Sequence, residues 1–332
     1  MKSKKHIICF SGGHASAIVA IEAERKYGKE NVILLNHDIH PHFEDEDIKR
    51  FKKEVSDYLG IPITYANEGN QSVVELIKNQ FEVCIEKGSF VNPHGRQILC
   101  TFVLKTEPFY NFLKNLDKNF EYVIYYGFDE NEFNRVERRK SILEKDGYVS
   151  DFPLAIWLEE QINAYNDYLI SSLLKTFNKV NNSKINIFDF KMNHNQFIQD
   201  SIKHELIKLE EYKGNLRTIF DTEEIGIKRP NQYKLFKHAN CKGCLKAGQQ
   251  HWYVIYCFHY DIFELGKEAE EIIGYSFGKE FLKDIEPKFK KMKEIGIPAS
   301  EHIPSSTFWK SAKKYLTQHT QDLFPCECFE NV

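Results

Sequence analysis

The chain has 332 residues, 42% of them hydrophobic and 28% charged, with a formal net charge of -3 at pH 7. This composition excludes a disordered or fibrous chain, and the near balance of charge gives no global pull toward nucleic acid or an acidic membrane. No apolar run approaches the length of a membrane span, and Met1-Lys2-Ser3-Lys4-Lys5 leads directly into an apolar segment, leaving no room for a secretory signal. The expectation is a cytoplasmic protein whose eight cysteines are thiols or metal ligands rather than disulfides.

In chain order, His6 to Phe10 reads as a strand, Ser11-Gly12-Gly13-His14-Ala15-Ser16 as a glycine turn, and the amphipathic segment ending near Gly28 as a helix. Adjacent glycines let the backbone approach a ligand closely, and a helix start presents free N–H groups and a positive dipole end to phosphate. Val32 to Leu35 predicts a second strand, ending in the polar loop Asn36-His37-Asp38-Ile39-His40-Pro41-His42. Ile48, Phe51, Val55 and Leu59 recur at helical steps and Gly60 closes that helix, with Glu44-Asp45-Glu46-Asp47 favouring its start through the dipole. Ile61 to Tyr65 predicts a third strand. Val74, Ile77, Phe81 and Ile85 mark one helix, Phe109, Phe112, Leu113 and Leu116 another, and Tyr122 to Tyr126 a buried strand before Gly127. Strands alternating with helical periods specify a doubly wound parallel sheet, a Rossmann-like α/β half complete near residue 130.

Beyond it, Arg135, Arg138 and Arg139 share a helical face that can clamp an anion. Leu158, Ile162, Tyr165, Leu169 and Leu173 form one helical stripe and Ile198, Ile202, Leu206 and Leu209 a second, with Ile185 to Phe190 read as a short strand between them. Residues 158–222 are therefore a mostly helical insertion offering a lid, a specificity element or a homodimer surface. It separates a nucleotide domain, residues 1–157, from a cysteine-containing C-terminal subdomain, residues 223–332. Cys241-Lys242-Gly243-Cys244 can chelate one ion from a tight turn, and Cys326-Glu327-Cys328 supplies a second pair. The four thiols suit a structural Zn2+ site, an iron–sulfur cluster needs the same donors, and Cys100 and Cys257 stand in reserve. The lysines at 279, 283, 288, 290, 291 and 293 read as a solvated face, with nucleic acid as the other reading.

The turn Ser11-Gly12-Gly13-x-x-Ser16 resembles the PP-loop, SGGxDS, of the ATP pyrophosphatases and the phosphoadenosine phosphosulfate (PAPS) reductase family, with Ala15 where that family usually has aspartate. Cys100-Thr101, Lys105 and Pro108, the Gly127, Glu132 and Arg135 pattern, Pro153-Leu154-Ala155-Ile156-Trp157 and Gly226-Ile227-Lys228-Arg229-Pro230 resemble further segments of the same family. The resemblance implies an adenine nucleotide alpha-hydrolase-like fold. It also implies ATP or a PAPS-like nucleotide, with or without Mg2+, at Ser11, Gly12, Gly13, His14, Ser16, Asp38, Gly127 and Glu132. Lys105, Arg135 and Arg138 would be the catalytic cations, stabilising charge on phosphate. The implied activity is adenylylation of, or sulfur transfer to, a substrate, with a sulfur donor protein as partner. The alternatives are a PAPS or APS reductase using Cys328, and a nonenzymatic nucleotide-binding or nucleic-acid-associated protein, which Ala15 favours. Asp129 replaces the arginine that PAPS reductases place two residues after the glycine, and Glu327-Cys328-Phe329-Glu330 lacks the glycine and histidine of their redox tail.

Overall fold

The computed structural model describes residues 2–67, 77–93, 97–129, 132–155, 170–171, 173–203 and 218–321. Five parallel strands, β1 (Lys4–Cys9), β2 (Val32–Asn36), β3 (Ile63–Tyr65), β4 (Glu121–Tyr125) and β5 (Val149–Asp151), are ordered β3-β2-β1-β4-β5. An all-parallel sheet alternating with helices is the α/β, Rossmann-like arrangement that the sequence pattern specifies. The helices that follow the strands are α1 (His14–Tyr27), α2 (Glu46–Leu59), α3 (Gln80–Glu86), α4 (Glu107–Lys114) and α5 (Phe133–Lys145).

The chain divides into two compact units, one of residues 1–10, 15–32 and 120–225, the other of residues 11–14, 33–119 and 226–332. In the first unit β1 pairs with β4 from Lys4↔Glu121 to Ile8↔Tyr125, and β4 pairs with β5 from Val123↔Val149 to Tyr125↔Asp151. Eight consecutive residues of α1, Ser16 to Ala23, are buried, so this helix is covered on all sides. The one carboxylate among them, Glu22, is satisfied by Thr218 N–H at 2.7 Å, Thr218 Oγ1 at 2.9 Å and Ile219 N–H at 3.0 Å. Farther along lie α6 (Ile187–Asn193) and α7 (Asn195–Lys203), where Phe190 and Ile198 bury against Leu173.

The second unit carries β2, paired with β3 from Leu34↔Ile63 to Asn36↔Tyr65, and a large apolar core. Its later helices are α8 (Gln249–Phe258), α9 (Tyr260–Ile273), α10 (Leu282–Glu294) and α11 (Ser305–Gln321). Phe43 and Phe81 pack there with Trp252, Tyr253, Phe263 and Phe289. Helix α2 is capped as its sequence asks: the Asp45 carboxylate accepts from Asp47 N–H, and Gly60 ends the helix in the left-handed region at φ 63°.

Three local expectations are corrected. The helix expected through Ile77 begins only at Gln80, because Asn79 and Glu82 form a capping box that fixes the start after Ile77. The segment read as a strand from Ile185 is α6, started by Asn186, whose side chain accepts from Asp189 N–H. The sheet does not end near residue 130, since β5 extends it. Val74, Ile156, Trp157, Leu158, Ile162, Tyr165, Leu169, Leu206, Leu209, Cys326 and Cys328 lie outside the described residues.

Candidate functional site

Two glycines shape the loop after β1. Gly12 is held at φ 80°, and a Cβ there would meet Lys52 Cγ at 2.8 Å and Ile48 Cγ2 at 2.9 Å. Gly13 is nearly as confined, since its Cβ would lie 3.1 Å from the Tyr233 hydroxyl. That hydroxyl accepts the His14 backbone N–H at 3.0 Å. The expectation of free amides at the helix start is thus corrected at His14, whose N–H is used inside the protein. Gly13 N–H also faces Ser11 Oγ at 3.4 Å. Burial pushes the Tyr233 hydroxyl pKa up, so it stays protonated at neutral pH.

Beneath Gly12 the second unit continues as a chain of charged contacts. The Lys52 ammonium is buried and pairs with Glu44 Oε1 at 2.8 Å and Oε2 at 2.9 Å, while lying 5.8 Å from the centre of the Tyr65 ring. Burial raises the Glu44 pKa against the opposing pull of Lys52, and Asp38 adds to the rise. Asp38 is itself fixed by a reciprocal clamp, its N–H donating to Asn67 Oδ1 at 2.6 Å and its C=O accepting from Asn67 Nδ2 at 2.8 Å. A cavity of about 540 Å3 opens beside these groups, lined by Asp38, Glu44, Lys49, Lys52, Asp57 and Tyr65 among others. A space of that size holds a small organic ligand.

Lys105 sits in a π-helical turn, Phe102–Thr106, immediately before α4. Such turns recur at functional sites because the extra residue redirects a side chain. Negative charge at Cys241, ahead of that at Cys244, Cys100 and Glu44, raises the Lys105 pKa against the opposing effect of burial. The same cation and burial act on His37, whose pKa is lowered to about 4, burial being the larger cause. His37 Nε2 is buried without a hydrogen-bond partner. Cys84 and Cys100 share a hydrogen bond that holds the Cys84 thiol down and the Cys100 thiol up. Cys244 is raised by burial and by the neighbouring Cys241, while Lys105 pulls it back.

The Cys241–Cys244 turn is built tightly. Gly243 has φ 68° and a Cβ there would come within 2.6 Å of Ile262 Cγ2. Lys242 N–H donates to Phe43 C=O at 2.8 Å, and Gln80 Nε2 donates to Lys242 C=O at the same distance. Among the described residues no group of three or more His, Cys, Asp or Glu side chains is arranged to hold a metal ion. The four-cysteine set therefore stands as a proposal on its Cys241–Cys244 half.

The first unit holds the remaining expected residues. Gly127 lacks a side chain for a packing reason: its Cβ would lie 2.7 Å from Ser16 N and 2.8 Å from Ala15 C, so the backbones of the α1 start and the β4 end press together. Glu132 pairs with Arg135, whose guanidinium lies 4.3 Å from the centre of the Phe128 ring. Arg139 sits 5.4 Å from the Tyr126 ring, and Tyr126, Phe128 and Phe152 stack at centroid distances of 5.4 to 5.9 Å. These pairs bind the two arginines to an aromatic stack, while Arg138 is exposed. Burial pushes the Cys9 pKa up to about 12, so its thiol is protonated at neutral pH.

Of the expected site residues, Ser11, Gly12, Gly13, His14, Asp38, Lys105, Cys241 and Cys244 belong to the second unit, and Ser16, Gly127, Glu132, Arg135 and Arg138 to the first. Sequence reasoning missed Lys52, Glu44, Cys84 and the site role of Tyr233; only the family-like Gly226 to Tyr233 segment hinted at the last. No protein-family profile, no curated protein and no solved structure matches the chain. No described helix is long and apolar enough to cross a membrane.

Proposed function

We propose that the chain is a cytoplasmic, adenine-nucleotide-binding enzyme of the PP-loop, PAPS reductase-like type, which activates an acceptor by adenylylation and passes sulfur to it. The observation that carries this reading is a set of neighbours inside the second unit: Gly12 closes on Lys52, Lys52 pairs with Glu44, and Lys105 lies within electrostatic range of Cys241, Cys244, Cys100 and Glu44. A glycine turn, a fixed cation and a thiol group in one unit are the parts that phosphate activation and sulfur chemistry need.

In the activating step an acceptor oxygen bonds to the α-phosphorus of ATP while the bond to pyrophosphate breaks. In the second step a thiocarboxylate sulfur of the donor protein bonds to the acceptor carbon while AMP leaves with the electron pair of the carbon–oxygen bond, and water then splits the donor's carbonyl–sulfur bond, leaving the sulfur on the acceptor and a carboxylate on the donor. Lys105 supplies positive charge where oxygen charge accumulates. Ser11, Gly12 and Gly13 give the phosphates a close backbone approach, and Mg2+ travels with the triphosphate as part of the substrate. Arg135 and Arg138, both exposed, carry anion contacts in this reading.

Calorimetric titration with ATP, ADP, AMP, PAPS and adenosine, followed by a pyrophosphate-release assay, tests the proposal. Micromolar nucleotide binding that Gly13→Val abolishes in a folded protein is expected. Unchanged affinity in folded Gly13→Val would remove the loop from the site. Tight binding with no pyrophosphate release across acceptor candidates would favour the nonenzymatic reading, which Ala15 at the usual carboxylate position supports.

A further inference from the structure

Helices α10 and α11 carry eight lysines against three acidic residues in a chain whose net charge is -3. The three acids all lie on α10, and α11 has none in its 17 residues. One of the three, Glu286, is turned toward α9, where it accepts from Lys267 Nζ at 2.7 Å and from the Tyr260 hydroxyl at 2.6 Å. On α11, Phe308 and Ala312 are buried while Lys310, Lys313 and Lys314 are exposed. Spacings of one, three and four residues place those three ammonium groups on one side of the helix, away from the buried stripe. On α10 the buried residues are Leu282, Ile285, Phe289 and Met292, leaving Lys288 and Lys290 outward. Lys288 joins the two helices, its ammonium lying 4.5 Å from the centre of the Trp309 ring.

We propose that this two-helix lysine face is a docking surface for the phosphate backbone of duplex nucleic acid, read without regard to sequence. The proposal goes beyond the nucleotide reading and stands without it. Flexible ammonium groups act as point charges that neutralise phosphates and release counterions, which is the sequence-independent part of nucleic-acid affinity. A single strand is the poorer fit, because such sites offer aromatic platforms for base stacking, and Trp309 on this face is covered by Lys288. A membrane surface is poorer still, since the large apolar side chains of an interfacial helix are here buried in the core, as Phe308 and Phe289 are.

The test uses the full chain, a fluorescein-labelled duplex of about 20 base pairs, and anisotropy titrations from about 50 to 200 mM KCl. The wild type should bind the duplex with affinity that falls steeply with salt. The triple variant Lys310→Gln, Lys313→Gln, Lys314→Gln should bind at least about tenfold more weakly at low salt and reduce the slope of log K against log salt by about three. A control with the same loss of charge, Lys175→Gln, Lys179→Gln, Lys184→Gln, removes exposed lysines from the other unit and should change binding less than about twofold. Thermal melts confirm that both variants remain folded. An equal loss in the control, or no duplex binding at low salt, would overturn the proposal. So would stronger binding to a single strand, to phosphatidylserine vesicles or to an acidic peptide than to the duplex.

Discussion

The Tyr233 hydroxyl and the His14 amide meet at 3.0 Å across 219 residues of sequence, and this bond fixes the start of α1. The same hydroxyl would stand 3.1 Å from a Cβ at Gly13, so Tyr233 sets both the hydrogen bonding and the space of the loop. Tyr233→Phe removes the acceptor and leaves the ring. It should cost about 1 kcal/mol, a typical value for one hydrogen bond, and lower Tm by about 1 to 2 °C in a chain of this size. Calorimetric melting checks it, and an unchanged Tm would mean that the bond contributes nothing.

The Lys52–Glu44 pair makes a second, larger prediction. Both side chains are almost fully buried, so removing one leaves an uncompensated charge in the interior. Lys52→Met should destabilise the protein by about 3 kcal/mol or more, while Lys52→Met with Glu44→Leu should recover much of that loss. Denaturant unfolding of the two singles and the double completes the cycle. Additive single losses would show that the two groups do not act as a pair.

Much of the sheet was legible in the sequence, because β1, β2 and β4 contain the apolar runs Ile7 to Cys9, Val32 to Leu35 and Tyr122 to Tyr125 between helical periods. β5 was not, since Val149-Ser150-Asp151 offers one apolar residue and depends on its pairing with β4. Ile185 to Phe190 misled for the opposite reason: its apolar residues suit a strand, yet Asn186 caps a helix. In the site, Gly12, Gly13, Lys105 and the Cys241–Cys244 turn were readable as local motifs. Tyr233 at the loop, Lys52 under Gly12 and Cys84 against Cys100 were not, because each is a contact between residues far apart in sequence, and Lys52 looked like any surface lysine of a charged helix.

His37 predicts a pH dependence. Burial, aided by the Lys105 charge, lowers its folded-state pKa to about 4 from an ordinary 6.5. The folded chain therefore binds this proton more weakly than the unfolded chain. The stability tied to neutral His37 is fully present above pH 6.5 and is lost as pH falls toward 4, in total about 3 kcal/mol at about 1.4 kcal/mol per pH unit. Unfolding free energies of wild type and His37→Asn, measured between pH 7 and 4.5, should converge as the pH falls. Parallel curves would show that His37 is not held neutral.

Lys105 is the residue on which the functional account turns, and one titration tests it most directly. Wild type and Lys105→Ala are each titrated with ATP and with adenosine by calorimetry. The account predicts that the substitution weakens ATP by about tenfold or more, as expected for a lost charge-assisted contact worth about 1.5 to 3 kcal/mol, while adenosine affinity stays within about twofold. Equal losses for the two ligands, or none for either, would contradict it.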